Sequence, residues 1–257
     1  MKKKIVFIGA GNIATRLATE FYNKGNEILY IYSKNINSAK IMANEVKSKY
    51  TDDLRSIPSN VDLYFLVIPD QFVEEHINNI NVGNGIVIHC SGSLNIDIFK
   101  GKVKNYGVFY PLQTFSKSRL ISFSHVPVCI ESHDPLILEL LNELGNQISG
   151  DVRQIDTDAR LILHLAAVFV CNFVNHMYSV ADDILETNHL PIEILYPLME
   201  ETLKKARLSK PQNAQTGPAK RQDKNIINKH LELLSYSQDF YDLYKTITNS
   251  ISTYGSR

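Results

Sequence analysis

The sequence predicts an α/β chain, with a doubly wound parallel sheet over residues 1–152 and an all-α domain over residues 153–257. Three observations carry that expectation. Short β-forming segments alternate with helix-length segments through the first half, as in consecutive βαβ units. The first of these segments breaks into Gly9, Ala10, Gly11, Asn12, Ile13 and Ala14 before a helical repeat begins. Beyond Asp156 no strand alternation appears, and the apolar residues recur with helical period.

The elements follow in order. Ile5, Val6, Phe7 and Ile8 form an unbroken apolar run, as a strand buried on both faces requires. Ile13, Ala14, Leu17, Ala18 and Phe21 fall on one helical face, and Gly25 is placed to close that helix. Residues 27–32 give the second strand and residues 39–46 a helix. Further strands are expected at 61–68, 86–90, 106–110 and 126–130, with a helix at 135–144 closing the first half.

Asp156 or Thr157 is the candidate N-cap of one long helix over residues 159–185, which at 1.5 Å per residue would span about 40 Å. Its stretch 161–174 is apolar nearly all round, yet it contains His164 and Asn172 and is shorter than the roughly 18 residues of a bilayer span. It reads as a buried core helix with one side covered by a second copy of the chain, a homodimer through the helical domain. Pro191 suits a helix start, whereas Pro197 falls inside a helical pattern and is expected to kink or interrupt it. Helices at 223–234 and 238–252 complete the chain.

Bulk composition narrows the function classes. The chain is 44% hydrophobic, ample for a packed core, and 27 basic residues balance 27 acidic ones. That balance points away from nucleic acid and anionic membranes as partners, so any polyanion must be held locally. The opening lysines and the apolar run after them imitate a secretory signal, but Gly9 and Gly11 interrupt the run and no cleavage site follows. Cys90, Cys129 and Cys171 stand apart in apolar surroundings, which fits buried thiols in a reducing cytoplasm.

The glycine string is a dinucleotide-binding fingerprint, GxGxxA, in the strand, turn and helix context it needs, so the first domain reads as a Rossmann domain. Gly9 permits the sharp turn, Gly11 lets backbone approach a pyrophosphate, and Ala14 allows close helix packing. Gly9, Gly11, Asn12 and Ile13 are therefore candidate cofactor-binding residues. NAD-preferring folds place an acidic residue near the end of the second strand, about 20 residues after the glycines. Tyr32, Ser33, Lys34 and Asn35 stand there instead, so a hydroxyl and a cation are available to a 2′-phosphate. NADP (NADPH) is the expected cofactor, held through Ser33 and Lys34, with a solvated loop lysine as the alternative.

Ligands of an open parallel sheet gather outside the carboxyl ends of its strands. Ile68 and Pro69 end one strand, where they either bring backbone to the cofactor ribose or simply start a helix. His89, Cys90, Ser91, Gly92 and Ser93 follow another, and Ser91 is a candidate donor to a carbonyl or carboxylate, or else a helix cap. Tyr110 to Phe115 carry Gln113 as an amide donor, or form an ordinary strand end with a buried tyrosine. On the long helix, His164 and Asn172 are candidates for protonating a nascent alkoxide or amine, against the alternative of a hydrogen-bonded core histidine. No HExxH or Cys/His spacing suggests a metal.

Five segments together, GAGNIA at 9–14, HCSGS at 89–93, YPLQTFS at 110–116, HLAAVFVCN at 164–172 and TGPAKRQD at 216–223, resemble a bacterial family of Rossmann-like proteins. Its members carry a C-terminal helical domain of unknown function and are labelled NADP oxidoreductases. In architecture the family is similar to pyrroline-5-carboxylate reductase and the 6-phosphogluconate dehydrogenase-like group. The resemblance implies the two-domain fold and a dimerising helical domain. Hydroxyacid members of the wider group use a lysine and, four residues on, an asparagine; His164 and Val168 stand at these positions, so that mechanism does not carry over. Within TGPAKRQD, Arg221 either clamps a substrate carboxylate or is solvated beside the helix that Asp223 starts.

The resulting expectation is a cytoplasmic NADP(H)-dependent oxidoreductase passing a hydride to or from a small carbonyl or imine in a cleft between its domains. A non-catalytic NADP(H)-binding redox sensor is the rival reading, and a deazaflavin as second hydride carrier is a further one.

Overall fold

Residues 2–116, 119 and 121–254 are described by the structure, a computed structural model. The first half runs β1 (Lys4–Ile8), α1 (Asn12–Asn23), β2 (Glu27–Tyr32), α2 (Ile36–Val46), β3 (Lys49–Thr51), β4 (Leu63–Leu66), α3 (Val73–Asn79), β5 (Ile86–His89), β6 (Tyr106–Pro111), β7 (Val128–Glu131), α4 (Pro135–Ile148) and β8 (Val152–Gln154). These strands form one sheet in the order β3-β2-β1-β4-β5-β6-β7-β8. The chain divides into two compact units, Met1–Asn172 and Phe173–Arg257.

In the first unit, β1 is fully buried from Ile5 through Ile8, as its unbroken apolar run requires. Phe7 stacks on Phe65 at 5.1 Å, and Phe65 meets Phe21 of α1 at 5.4 Å and Phe109 of β6 at 5.8 Å. Ala14, Leu17, Ala18 and Phe21 are the buried face of α1, matching the stripe read from the sequence.

The sheet departs from the expected all-parallel pattern at one edge. β7 pairs antiparallel to β6, with Val108 opposite Glu131 and Pro111 opposite Val128, and β8 then runs parallel to β7. A parallel return needs a crossover of a dozen or more residues, usually helical. Among the described residues between β6 and β7, only the single turn Phe123–His125 is helical. β3 and β8, three residues each, escape the sequence reading because strands so short carry no alternation.

α5 (Thr157–Ala167) follows, capped by Asp156, whose carboxylate accepts from the Ala159 N–H at 2.9 Å. A π-helical segment, Val168–Phe173, continues it. The second unit holds α6 (Val174–Thr187), α7 (Tyr196–Leu208), α8 (Pro211–Ala214), α9 (Pro218–Arg221), α10 (Lys224–Leu233) and α11 (Gln238–Tyr254). Pro197 lies in the first turn of α7, where its missing N–H costs no intrahelical bond, so the helical pattern is interrupted there, after the 3-10 turn Ile192–Leu195, rather than kinked.

The expected buried core helix is also corrected. The helical run Thr157–Thr187 is 31 residues, long and apolar enough to cross a membrane by length and composition, and none of its most apolar window is buried in the chain. Ile162 and Val170 are 66% and 74% exposed. The reason lies in the surroundings: within the first unit no described element covers Ile162 or Val170, and only Arg160 in α5 is sealed.

Candidate functional site

The turn after β1 is shaped for a ligand's approach. Gly9 has φ +118°, and a Cβ there would lie 2.1 Å from the Val67 carbonyl oxygen, so both conformation and space demand glycine. Gly11 faces open space within 4 Å of where its Cβ would be. It is the N-cap of α1, no side chain caps the helix, and no acidic residue sits in the first turn. That leaves a positive helix end facing open space, the fit expected of a pyrophosphate cradle. Asn12 turns its amide to the Phe115 carbonyl at 2.8 Å, tying the turn to the loop after β6.

Two adjoining cavities open from this turn. One, of about 300 Å³, is lined by Gly9, Gly11, Ser33, Lys34, Ile68 and Pro69 among others, and none of its described lining residues is Asp or Glu. Lys34 Nζ lies over the Phe72 ring, 5.0 Å from its centroid, and Ser33 Oγ accepts from the Asn35 N–H at 3.2 Å. A cation and a hydroxyl, with no Asp or Glu among the described lining residues, suit a 2′-phosphate.

The other cavity, of about 470 Å³, shares Gly11, Val67, Ile68 and Pro69 with the first and brings in Asn12, Ile13, Asp70, His89, Ser91, Gln113, Tyr110 and His164. Ser91 Oγ donates to Asp70 Oδ2 at 2.9 Å and Ser93 Oγ donates to the same oxygen at 2.7 Å. Ser91 Oγ in turn accepts from the N–H groups of Ser93 and Leu94, so its proton is committed to Asp70. Gln113 Oε1 accepts from the Thr114 N–H at 2.9 Å, which leaves the amide nitrogen to donate.

The sharpest pairing in this cavity joins Tyr110 and His164: Tyr110 Oη lies 3.2 Å from His164 Nδ1. Gly92 makes room for it, because a Cβ there would stand 2.6 Å from His164 Nδ1 and 2.9 Å from Tyr110 Cζ. Burial raises the Tyr110 pKa above the ordinary phenol value, so the hydroxyl keeps its proton. His89 lies fully buried, its Nδ1 accepting from the Ser91 N–H at 3.2 Å, and burial together with the Arg160 charge pushes its pKa down to about 3.

His164 is steadied from below by a buried ion pair. Arg160, one turn earlier on α5 and fully buried, pairs with Glu131 at the end of β7 and donates to the Leu94 carbonyl. The Thr157 N–H and hydroxyl donate to the same carboxylate, at 3.0 and 2.9 Å. α5 is thereby fixed to the sheet edge.

The twelve cofactor and catalytic candidates from sequence line these cavities or the one beside them, whereas Arg221, the candidate carboxylate clamp, is exposed in α9 and lines none of them. Asn172 alone among the catalytic candidates is absent from the cavity holding Ser91, Gln113 and His164; it lines the neighbour with Cys171. Sequence reasoning missed Asp70, Gly92 and the pairing role of Tyr110. The Pro69-Asp70 and Ser91-Gly92-Ser93 strings carried the signal for the first two, whereas the Tyr110 to His164 contact is a tertiary fact.

Comparison with known proteins bears on this geometry. Residues 4–92 match the family described as NADP oxidoreductase coenzyme F420-dependent, and residues 126–251 match a domain of unknown function, DUF2520. The structure superposes on that of a candidate NADP oxidoreductase from Bacteroides fragilis with TM-score 0.93 and 37% identity, covering 98% of each chain. The chain belongs to this NADP oxidoreductase family. NADP is the cofactor the family is named for, and the Rossmann and helical regions of the oxidoreductase follow the order read from its sequence.

More distant structures share the fold. A reductive aminase from Aspergillus terreus, in complex with NADPH and ethyl levulinate, matches with TM-score 0.72 and 11% identity over 98% of this chain and 93% of that one. A pyrroline-5-carboxylate reductase from Coxiella burnetii matches with TM-score 0.58 and 16% identity over 100% and 98%. No curated protein matches the sequence.

Proposed function

We propose that this oxidoreductase binds NADP(H) along the two cavities that open from its glycine turn and reduces, or forms, a small carbonyl or imine compound. The observation that carries this reading is the continuity of the lining: Gly11, Val67, Ile68 and Pro69 join the cavity of Ser33 and Lys34 to the cavity of Tyr110 and His164. Gly9, Gly11, Asn12 and Ile13 would hold the pyrophosphate, Ser33 and Lys34 the 2′-phosphate, and Ile68 and Pro69 the ribose. Bound NADPH supplies the hydride.

The chain's own residues manage the charge that develops. The Gln113 amide donates to the polarised oxygen or nitrogen, and Tyr110 Oη delivers the proton. His164 Nδ1, 3.2 Å behind it, restores that proton. Ser91 holds Asp70 in place rather than donating to substrate. Asn172 sits at the neighbouring cavity as a polar group for the rest of the substrate.

Residues 1–152 serve as the cofactor domain and 153–257 as the helical domain, which we read as the interface of a cytoplasmic homodimer. The exposed Leu190, Ile194, Leu198, Leu203 and Leu208 support that interface. Gel filtration with light scattering tests it, and a monomer at micromolar concentration would defeat it.

Calorimetric titration with NADPH and NADH, followed by a screen of aldehydes, ketones and cyclic imines read by NADPH absorbance, tests the main reading. NADPH binding with turnover of a carbonyl or imine is the expected result. Absence of NADPH binding overturns the reading entirely. Binding without turnover, with assembly that depends on the cofactor's redox state, favours the sensor.

A further inference from the structure

A third cavity adjoins the proposed reaction centre, and the function argued above gives it no occupant. It measures about 390 Å³ and shares Tyr110, Gln113, Thr114 and His164 with the cavity at the glycine turn. Its remaining wall is Leu112, Leu163, Ala166, Ala167, Val168, Val170, Cys171 and Asn172, so no described lining side chain is Lys, Arg, Asp or Glu.

The geometry points to this cavity as the substrate pocket of the oxidoreductase, built for a compact, mainly apolar ketone or imine without a carboxylate or phosphate. The inference rests on the reading of the Tyr110 and His164 pair as the place of reaction. Four lines meet here. Apart from Asn172 and the Cys171 thiol, the polar residues are the shared ones, so a substrate seated in the third cavity turns its reducible group toward the Tyr110 hydroxyl and leaves its body among Leu112, Leu163 and Ala167.

The second line is charge. An anionic substituent set against apolar side chains binds only where a fixed cation or several donors meet it. The third cavity offers it neither Lys nor Arg among the described residues, and the one charged side chain lining the adjoining cavity is the Asp70 carboxylate, which repels it.

The third line is backbone. Val168, Val170, Cys171 and Asn172 come from the π-helical segment Val168–Phe173, and such insertions collect at functional sites because they re-aim side chains that a regular helix would turn away. By regular spacing His164, Val168, Cys171 and Asn175 share a stripe; with the π segment, Cys171 and Asn172 line the cavity beside His164.

The fourth is size. A cavity of this volume lies near the lower end for small-molecule sites, which suits a compact small molecule.

The test pairs two ketones that differ in charge alone, methyl levulinate and levulinate, titrated by ligand-observed NMR into the full chain loaded with NADP. The ester is expected to bind at least about tenfold more tightly than the acid, because the acid meets no Lys or Arg among the described lining residues and sits near the Asp70 carboxylate. Ala167→Phe, which fills the cavity, is expected to weaken the ester about tenfold or more while leaving the dissociation constant for NADPH unchanged. Ala167→Leu is the milder filling should the phenylalanine variant fail to fold.

Acid binding as tight as ester, ester binding indifferent to both fillings, or binding of neither ketone overturns the assignment. Turnover of the same compounds separates the two levels. Ester binding that Ala167→Phe abolishes, without turnover of any carbonyl or imine, keeps the cavity and defeats the enzyme; turnover that prefers the acid keeps the enzyme and defeats the cavity.

Discussion

The hydroxyl of Tyr110 and the ring of His164, 54 residues apart in sequence, meet at 3.2 Å with their rings inclined at 77°. The contact joins the end of β6 to the last turn of α5 and gives the cavity a proton donor backed by a second titratable group. Replacing Tyr110 by Phe keeps the ring and removes the proton. Turnover is expected to fall by roughly a hundredfold or more, in the range of a lost general acid, with NADPH affinity unchanged in a fluorescence titration. Turnover within twofold of wild type would remove Tyr110 from the mechanism.

Gly92→Ala probes the same contact from the third side. Its methyl group would intrude on both partners, at 2.6 Å from His164 Nδ1 and 2.9 Å from Tyr110 Cζ. The pair should part, lowering kcat while cofactor binding survives; an unchanged kcat would show that the two groups work independently.

Ser33 and Lys34 are predicted to set the choice between NADP and NAD. In the double variant Ser33→Ala/Lys34→Ala, the ratio of NADPH to NADH affinity should drop by about tenfold or more, since a charge-assisted contact is worth roughly 1.5–3 kcal/mol. Parallel calorimetric titrations measure it, and an undiminished preference would place the 2′-phosphate elsewhere.

Breaking the buried pair between Arg160 and Glu131 should cost stability before it costs chemistry. Arg160→Met leaves an uncompensated carboxylate, and the expected loss is about 3–5 kcal/mol by denaturant titration. The double variant Arg160→Met/Glu131→Met should recover much of that loss, because neither charge is then stranded. A double variant weaker than the single one would mean that the pair contributes through hydrogen bonds to Thr157 and Leu94 more than through charge.

His89 gives the fold an acid-side weakness. Its folded pKa is lowered to about 3, while the unfolded chain binds the proton near 6.5. The unfolded state therefore holds more protons across that window, and stability is lost progressively as pH falls below about 6.5. From pH 7 to pH 5 the loss on this account is about 2 kcal/mol. Urea midpoints at those two pH values, compared between wild type and His89→Asn, measure it; an equal acid shift in both would assign the effect to other groups.

Much of this was legible beforehand, for local reasons. The run Ile5 to Ile8 could be placed because a buried parallel strand is apolar on both faces, and Gly9 because its turn admits no Cβ. Ser33 and Lys34 were legible through a missing carboxylate. What escaped depends on chain segments meeting far apart in sequence. Nothing in Tyr110 announces His164, and nothing in Asp70 announces Ser91 and Ser93. The reversal of β7 escaped because Val128 to Glu131 is apolar enough for either direction, and its direction was decided by a connection without a crossover helix among its described residues. The long helix was misjudged as buried because an apolar surface says that it prefers cover, not whether the same chain provides it.

The reversal of β7 and β8 also decides how His164 reaches its place. Had those strands followed the others, α5 would begin at the ligand-binding rim and travel away from it. Because β8 descends, the chain turns at Ile155, held by the Ile130 carbonyl, and Thr157 starts α5 beside Glu131, three residue pairs down β7 from Val128 opposite Pro111. The helix then climbs alongside β6, gripped by Arg160 on the way, and delivers His164 at the top beside Tyr110 and Gly92. Two inverted strands thus act as a stairwell: they carry the polypeptide down so that its next helix can rise to the mouth of the cavity at the glycine turn with a histidine at the landing.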